Sequence, residues 1–150
     1  MKNNMKNLNT YITEKILINK DIKIPHKLDK IYDNIDELVD DLNDYFGNQL
    51  EEQIKVIRKS TKFTSSVKLF ASCTVRDYFI IKLKDVDATF QFGKIFNDEL
   101  ISQCILKDYK GKADVWHTYK FKKDNFYKWI CQDKQEEYSM KEFFNIKDDK

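Results

Sequence analysis

Glycine, cysteine and arginine are scarce in this chain, and each scarcity removes a class of function. With three glycines there is no loop to cradle a phosphate and no dinucleotide-binding fingerprint. Neither Gly93 nor Gly111 adjoins a nucleophile. The cysteines, Cys73, Cys104 and Cys131, are odd in number and widely spaced, with no C-x-x-C pair. That is not a disulfide framework, and it suits a reducing cytosol. Of the 27 basic residues, all but Arg58 and Arg76 are lysine. Bidentate grips on phosphate or guanine are built mainly with arginine, so sequence-specific reading of nucleic acid is disfavoured. No apolar run approaches the ~20 residues that cross a bilayer. Glu14 and Lys15 interrupt the only candidate signal peptide, and no small-residue cleavage site follows.

What is present points to one folded domain. Apolar residues make up 41% and aromatic residues 14% of the 150 positions, far from the aromatic-poor composition of disordered chains. The net charge is +2 but unevenly laid out. Ile31 to Glu52 holds eight acidic residues and no basic one, whereas Gln53 to Lys84 holds eight basic residues and only Asp77 against them. The simplest use of this asymmetry is internal, with an acidic helix lying near basic strand ends.

Leu8, Tyr11, Ile12, Ile16 and Leu17 are spaced for one face of a short helix. Ile22 and Ile24 alternate with Lys23, and Pro25, the single proline, closes this opening segment. In NIDELVDDLNDYFG, residues 34 to 47, Ile35, Leu38, Val39, Leu42 and Phe46 recur at helical spacing. Asn34 stands at the N-cap and Gly47 past the end. QLEEQIKVIRK, 49 to 59, reads as a second helix through Leu50, Ile54 and Ile57, although Ile54 and Val56 also alternate. From Phe63 the period becomes two. VKLFASC, RDYFIIKLK, ATFQFGKIF, LISQCILK and VWHTYKFKK are strand candidates, separated by turns at Asp85, Phe96 to Asp98 and the KGKAD stretch. Phe126, Trp129 and Ile130 then mark a short helix capped by Asp124 or Asn125. Ser139 and Glu142 form a capping box before a final turn or two of helix. Short connections favour antiparallel neighbours. The expected fold is α+β, a four- to five-stranded antiparallel meander packed by two or three helices. Its expected organisation is a detachable segment 1–24, one domain 25–146 and a polar tail 147–150.

Few residues are arranged for chemistry. Cys104, His117 and Cys131 could meet in space, but zinc sites show close-spaced ligand pairs and none is present. Buried thiols and a strand histidine are the plainer reading. Cys73 and Cys104 fall within strands rather than at the strained turns that activate nucleophiles. Asp36, Glu37, Asp40 and Asp41 lack the glycine turn of a calcium loop and read as a solvated helix face. No enzyme, cofactor or metal site is therefore expected. The stretch WHTYKFKKDNFYKW, 116 to 129, interleaves rings with lysines. Trp116 and Tyr119 beside Lys120, Lys122 and Lys123 would suit a single-strand binder. The same pattern also suits a plain strand with Val115, His117, Tyr119 and Phe121 inward and lysines outward.

The opening LNTYITEKILINKDIKI resembles the leader, approximately LNEYIIEKLKINKDSKI, that begins small uncharacterised proteins of gut Bacteroidota and their crAss-like phages. The matching residues are Leu8, Asn9, Tyr11, Ile12, Glu14, Lys15, Ile18, Asn19, Lys20, Asp21, Lys23 and Ile24. The resemblance covers residues 8–24 only. It implies a phage or mobile-element product whose leader serves as an address, for packing into a particle or docking on a common partner. An amphipathic segment with Tyr11, Ile12, Ile16 and Leu17 on one side fits a groove on another protein. Membrane-surface binding is disfavoured because Glu14 and Asp21 balance its lysines. The sequence thus predicts a non-enzymatic interaction or accessory protein of the host cytoplasm or virion, docking through those four residues. Single-stranded nucleic-acid binding is the alternative.

Overall fold

A computed structural model describes residues 26–65, 71–106, 117–132 and 139–146 of the chain. Helix α1, Ile35–Phe46, begins where the sequence places it. The Asn34 side chain accepts a 3.0 Å hydrogen bond from the Glu37 N–H and donates to the Glu37 carboxylate at 3.3 Å. Asp36 and Glu37 occupy the first turn, where the helix dipole favours them. Gly47 ends the helix with φ of +51°, a value at which a side chain is strained. Ile35, Leu38, Val39, Leu42 and Phe46 are all buried, so α1 is held by packing of this stripe.

The second helix expected over 49 to 59 does not form. A 3-10 turn at Gly47–Gln49 is followed by extended chain, and strand β1 runs from Ile57 to Ser65. The physical reason is lateral bonding. The Asn43 side chain donates to the Ile54 carbonyl at 2.9 Å and accepts from the Ile54 N–H at 2.8 Å. Leu50 bridges to Leu83. These bonds hold the backbone of this segment extended, and no helix can use them.

Strands β2 (Ala71–Lys82), β3 (Ala88–Lys94), β4 (Glu99–Leu106) and β5 (His117–Lys120) follow. All neighbours are antiparallel, in the order β1-β2-β3-β4-β5. The expected meander is therefore correct, at five strands. Its first two members differ, because the ASC of VKLFASC and the RDYFIIK that follows belong to one long strand. Residues 66–70 lie outside the described residues.

Helices α2, Phe126–Cys131, and α3, Met140–Phe143, are short. Asn125, not Asp124, caps α2 by accepting the Lys128 N–H at 3.1 Å. Ser139 caps α3 through the Glu142 N–H at 3.1 Å. All three helices bury their apolar residues in one cluster with Phe79, Ile81, Phe90, Phe92, Leu100 and Tyr119 of the sheet. Phe92 is its hub, with ring centroids 5.0 Å from Phe79, 5.9 Å from Phe126 and 6.2 Å from Phe144.

The opposite sheet face carries a second, smaller core. The β1–β2 register shifts between Arg58 and Thr61, a bulge that strengthens local twist. Beyond it, Phe63 and Val75 pack with Ile101, and the Gln103 side chain donates to the Thr64 carbonyl at 3.0 Å. β1 and β4 are not neighbours in the sheet, so the outer half of the β1–β2 hairpin arches over this face. Gly93 makes the approach possible. A Cβ there would lie 2.6 Å from Val75 Cγ1.

Candidate functional surface

Tyr11, Ile12, Ile16, Leu17 and Trp116 lie outside the described residues. The described chain begins at His26 and is held against α1. His26 sits between the rings of Tyr45 and Tyr127, at 4.7 and 4.5 Å between centroids. Its Nδ1 accepts the Leu28 N–H at 3.2 Å. Burial holds its pKa below the ordinary 6.5, with Asp29 partly opposing. Lys27 pairs with Asp44 at 2.5 Å and Lys30 with Asp41 at 3.0 Å, clasping the chain that follows along α1. The acidic face thus serves largely the lysines just before it. Asp36 alone reaches β1, where it pairs with Arg58, and Arg58 also faces Asp77 at 3.6 Å.

The ring-and-lysine stretch divides between core and solvent. Tyr119 is 1% exposed, its ring 5.6 Å from Trp129 and 5.7 Å from Phe126. It faces the helices and offers no stacking platform, which corrects its place in the nucleic-acid reading. Among the described residues the buried Tyr119 hydroxyl has no hydrogen-bond partner of good geometry. Burial raises its pKa, and the backbone of Tyr32 and Phe126, close to the hydroxyl but outside good hydrogen-bond geometry, opposes the rise only in part. Lys120, Lys122 and Lys123 are exposed, and Lys120 faces Glu99 at 3.4 Å.

Cys104 is buried on β4, while Cys131 ends α2 half-buried. His117 on β5 is opposite Ser102. Among the described residues no three metal-ligating side chains cluster. Burial raises the Cys73 thiol pKa, the direction opposite to nucleophile activation.

The feature that sequence reasoning missed is at the β3–β4 turn. Phe96 is 87% exposed. The turn beneath it is fixed by Ile95 N–H to Glu99 O at 2.8 Å, Asp98 N–H to Ile95 O at 3.1 Å, and a Lys94–Asp98 pair at 3.2 Å. Arg76 lines the same small cavity, of about 160 Å3. Arg58 is committed to Asp36 and Asp77, whereas Arg76 makes no ion pair among the described residues. An aromatic ring inside the turn tripeptide Phe96–Asn97–Asp98 was the available signal, since a turn has no core face. Arg58 pairs with Asp77 and Asp77 with Lys94, so this tip lies at the end of the sheet beside the first turn of α1. His26 packs against Tyr45 in the last turn of α1, at the other end of that helix.

A second exposed apolar residue, Ile31 at 53%, borders a cavity of about 510 Å3 shared with Thr118, Lys123, Lys128 and Trp129. Among the described residues no helix is long and apolar enough to cross a membrane. Comparison with protein-family models, with curated proteins and with solved structures finds no match to this chain.

Proposed function

We propose that this chain is a non-enzymatic protein-interaction or accessory protein of a phage or mobile element, working in the host cytoplasm or the virion. The observation that carries the reading is Phe96, a large ring held in water on a hydrogen-bonded turn beside Arg76, which makes no ion pair among the described residues. Aromatic residues and arginine are the types enriched at protein interfaces, and rigid presentation lowers the entropy lost on binding. The leader resemblance supports the same reading, with Tyr11, Ile12, Ile16 and Leu17 as a further docking face.

The test uses the full chain in three forms: native, Phe96→Ala with Arg76→Ala, and Tyr11→Ala with Ile16→Asp. Partners recovered from native lysate are quantified beside melting temperature. The proposal expects each double variant to lose a partner by about tenfold or more, as truncated hot spots do, with melting little changed. Equal recovery by all three forms contradicts it.

A further inference from the structure

The cavity of about 510 Å3 between β5 and α2 has a size and lining that the protein-interaction reading does not use. It falls within the ~300–1,000 Å3 of small-ligand sites. Half-buried Trp129 packs its ring on Tyr119 and Phe126 and contributes its remaining surface to the cavity wall. That ring is held from behind, as a stacking platform must be. Lys123 and Lys128 flank it, and neither ammonium is in an ion pair among the described residues. Asp124 is the one carboxylate among the described residues of the wall, and the two lysines outnumber it. Asn125 is occupied by its cap and by a 2.9 Å bond to Asp29, which fixes the loop between the two lysines.

We propose that this cavity takes one unstacked base of a single-stranded nucleic acid, its ring on Trp129 and its flanking phosphates on Lys123 and Lys128. An indole wall accepts any base face, and lysines neutralise phosphate without reading sequence. Duplex DNA does not fit the arrangement, because its bases are already stacked. Thr118, exposed on β5, supplies a hydroxyl at the same opening. This inference stands independently of the Phe96 surface.

The experiment uses the full chain carrying Trp116→Phe, so that Trp129 is its only indole. A short oligothymidylate is titrated at low salt while indole fluorescence is read. Saturable quenching is expected. It weakens about tenfold in Lys123→Gln with Lys128→Gln, and the slope of log affinity on log salt falls by about 1.4 for two lost phosphate contacts. Lys59→Gln with Lys62→Gln, on β1, should change neither. Anisotropy of a labelled oligothymidylate with the native chain repeats the comparison without the tryptophan change. Absence of binding at low salt overturns the proposal. So does binding that is indifferent to the Lys123 and Lys128 pair, or equally sensitive to the β1 pair.

Discussion

Val75 rests on Gly93 from across the sheet, with its Cγ1 2.6 Å from where a Cβ on residue 93 would stand. The neighbour is a β-branched side chain held by Phe63 and Ile101, so it cannot swing away. Gly93→Ala should destabilise the protein by about 1–3 kcal/mol through overpacking. Gly93→Ala with Val75→Ala should recover part of that loss, giving a coupling well outside additivity. Denaturant unfolding of the four forms measures it. Additive effects would mean that the hairpin does not arch over this face.

Asn43 replaces the helix that the sequence predicted over 49 to 59 with a pair of bonds to one residue. Both hydrogen-bonding groups of the Ile54 backbone depend on it. Asn43→Ala should cost about 1–3 kcal/mol, the cost of leaving partly buried backbone groups unpaired. Asn43→Asp keeps the acceptor for the Ile54 N–H but sets a second acceptor against the Ile54 carbonyl, so it should recover little. Equilibrium unfolding ranks the three forms.

His26 gives stability a pH dependence. Its folded-state pKa is lowered, so the unfolded chain binds the proton more tightly. The stabilisation is complete above the ordinary value near 6.5 and is lost as pH falls through the lower folded-state value. Protonation also removes the acceptor for the Leu28 N–H. Melting temperature should fall more steeply below pH 6.5 in the native chain than in His26→Asn, which keeps a polar side chain but does not titrate there. Identical profiles would detach the histidine from stability.

Three tyrosines act at the other end of the scale. Burial raises the hydroxyls of Tyr32, Tyr45 and Tyr119, and Tyr32 also donates to Asp41 at 2.8 Å. Each folded-state pKa exceeds the unfolded 10.0, so their stabilisation is full below pH 10 and lost as pH rises beyond it. Absorbance of tyrosinate should show a late fraction that ionises together with unfolding, and Tyr32→Phe should reduce it. Ionisation of all tyrosines as one ordinary group would contradict their burial.

Periodicity carried much of this fold. The stripe Ile35, Leu38, Val39, Leu42 and Phe46, with Asn34 and Gly47 at its ends, is a local pattern, and local patterns are legible in sequence. The inward and outward alternation of Tyr119, Lys120 and Phe121 was legible for the same reason. The span 49 to 56 was not, because its conformation is decided by Asn43 and by the Leu50–Leu83 bridge, contacts between separate segments. The joining of ASC to RDYFIIK in one strand was legible, since Thr74 and Val75 carry no break, but the two were read apart. Of the candidate site residues, Lys120, Lys122 and Lys123 lie in solvent as expected, and Tyr119 does not. Phe96 was overlooked because a turn reading accounts for Asn97 and Asp98 and leaves the ring unasked about.

The most direct test of an interaction role is photocrosslinking from position 96 in the full chain, with a benzophenone-bearing phenylalanine analogue in place of Phe96 and the same probe at Lys59 as control. The account predicts a discrete adduct with one partner from position 96 that Arg76→Ala diminishes and position 59 does not yield. Adducts identical from both positions, or none from position 96, would contradict it.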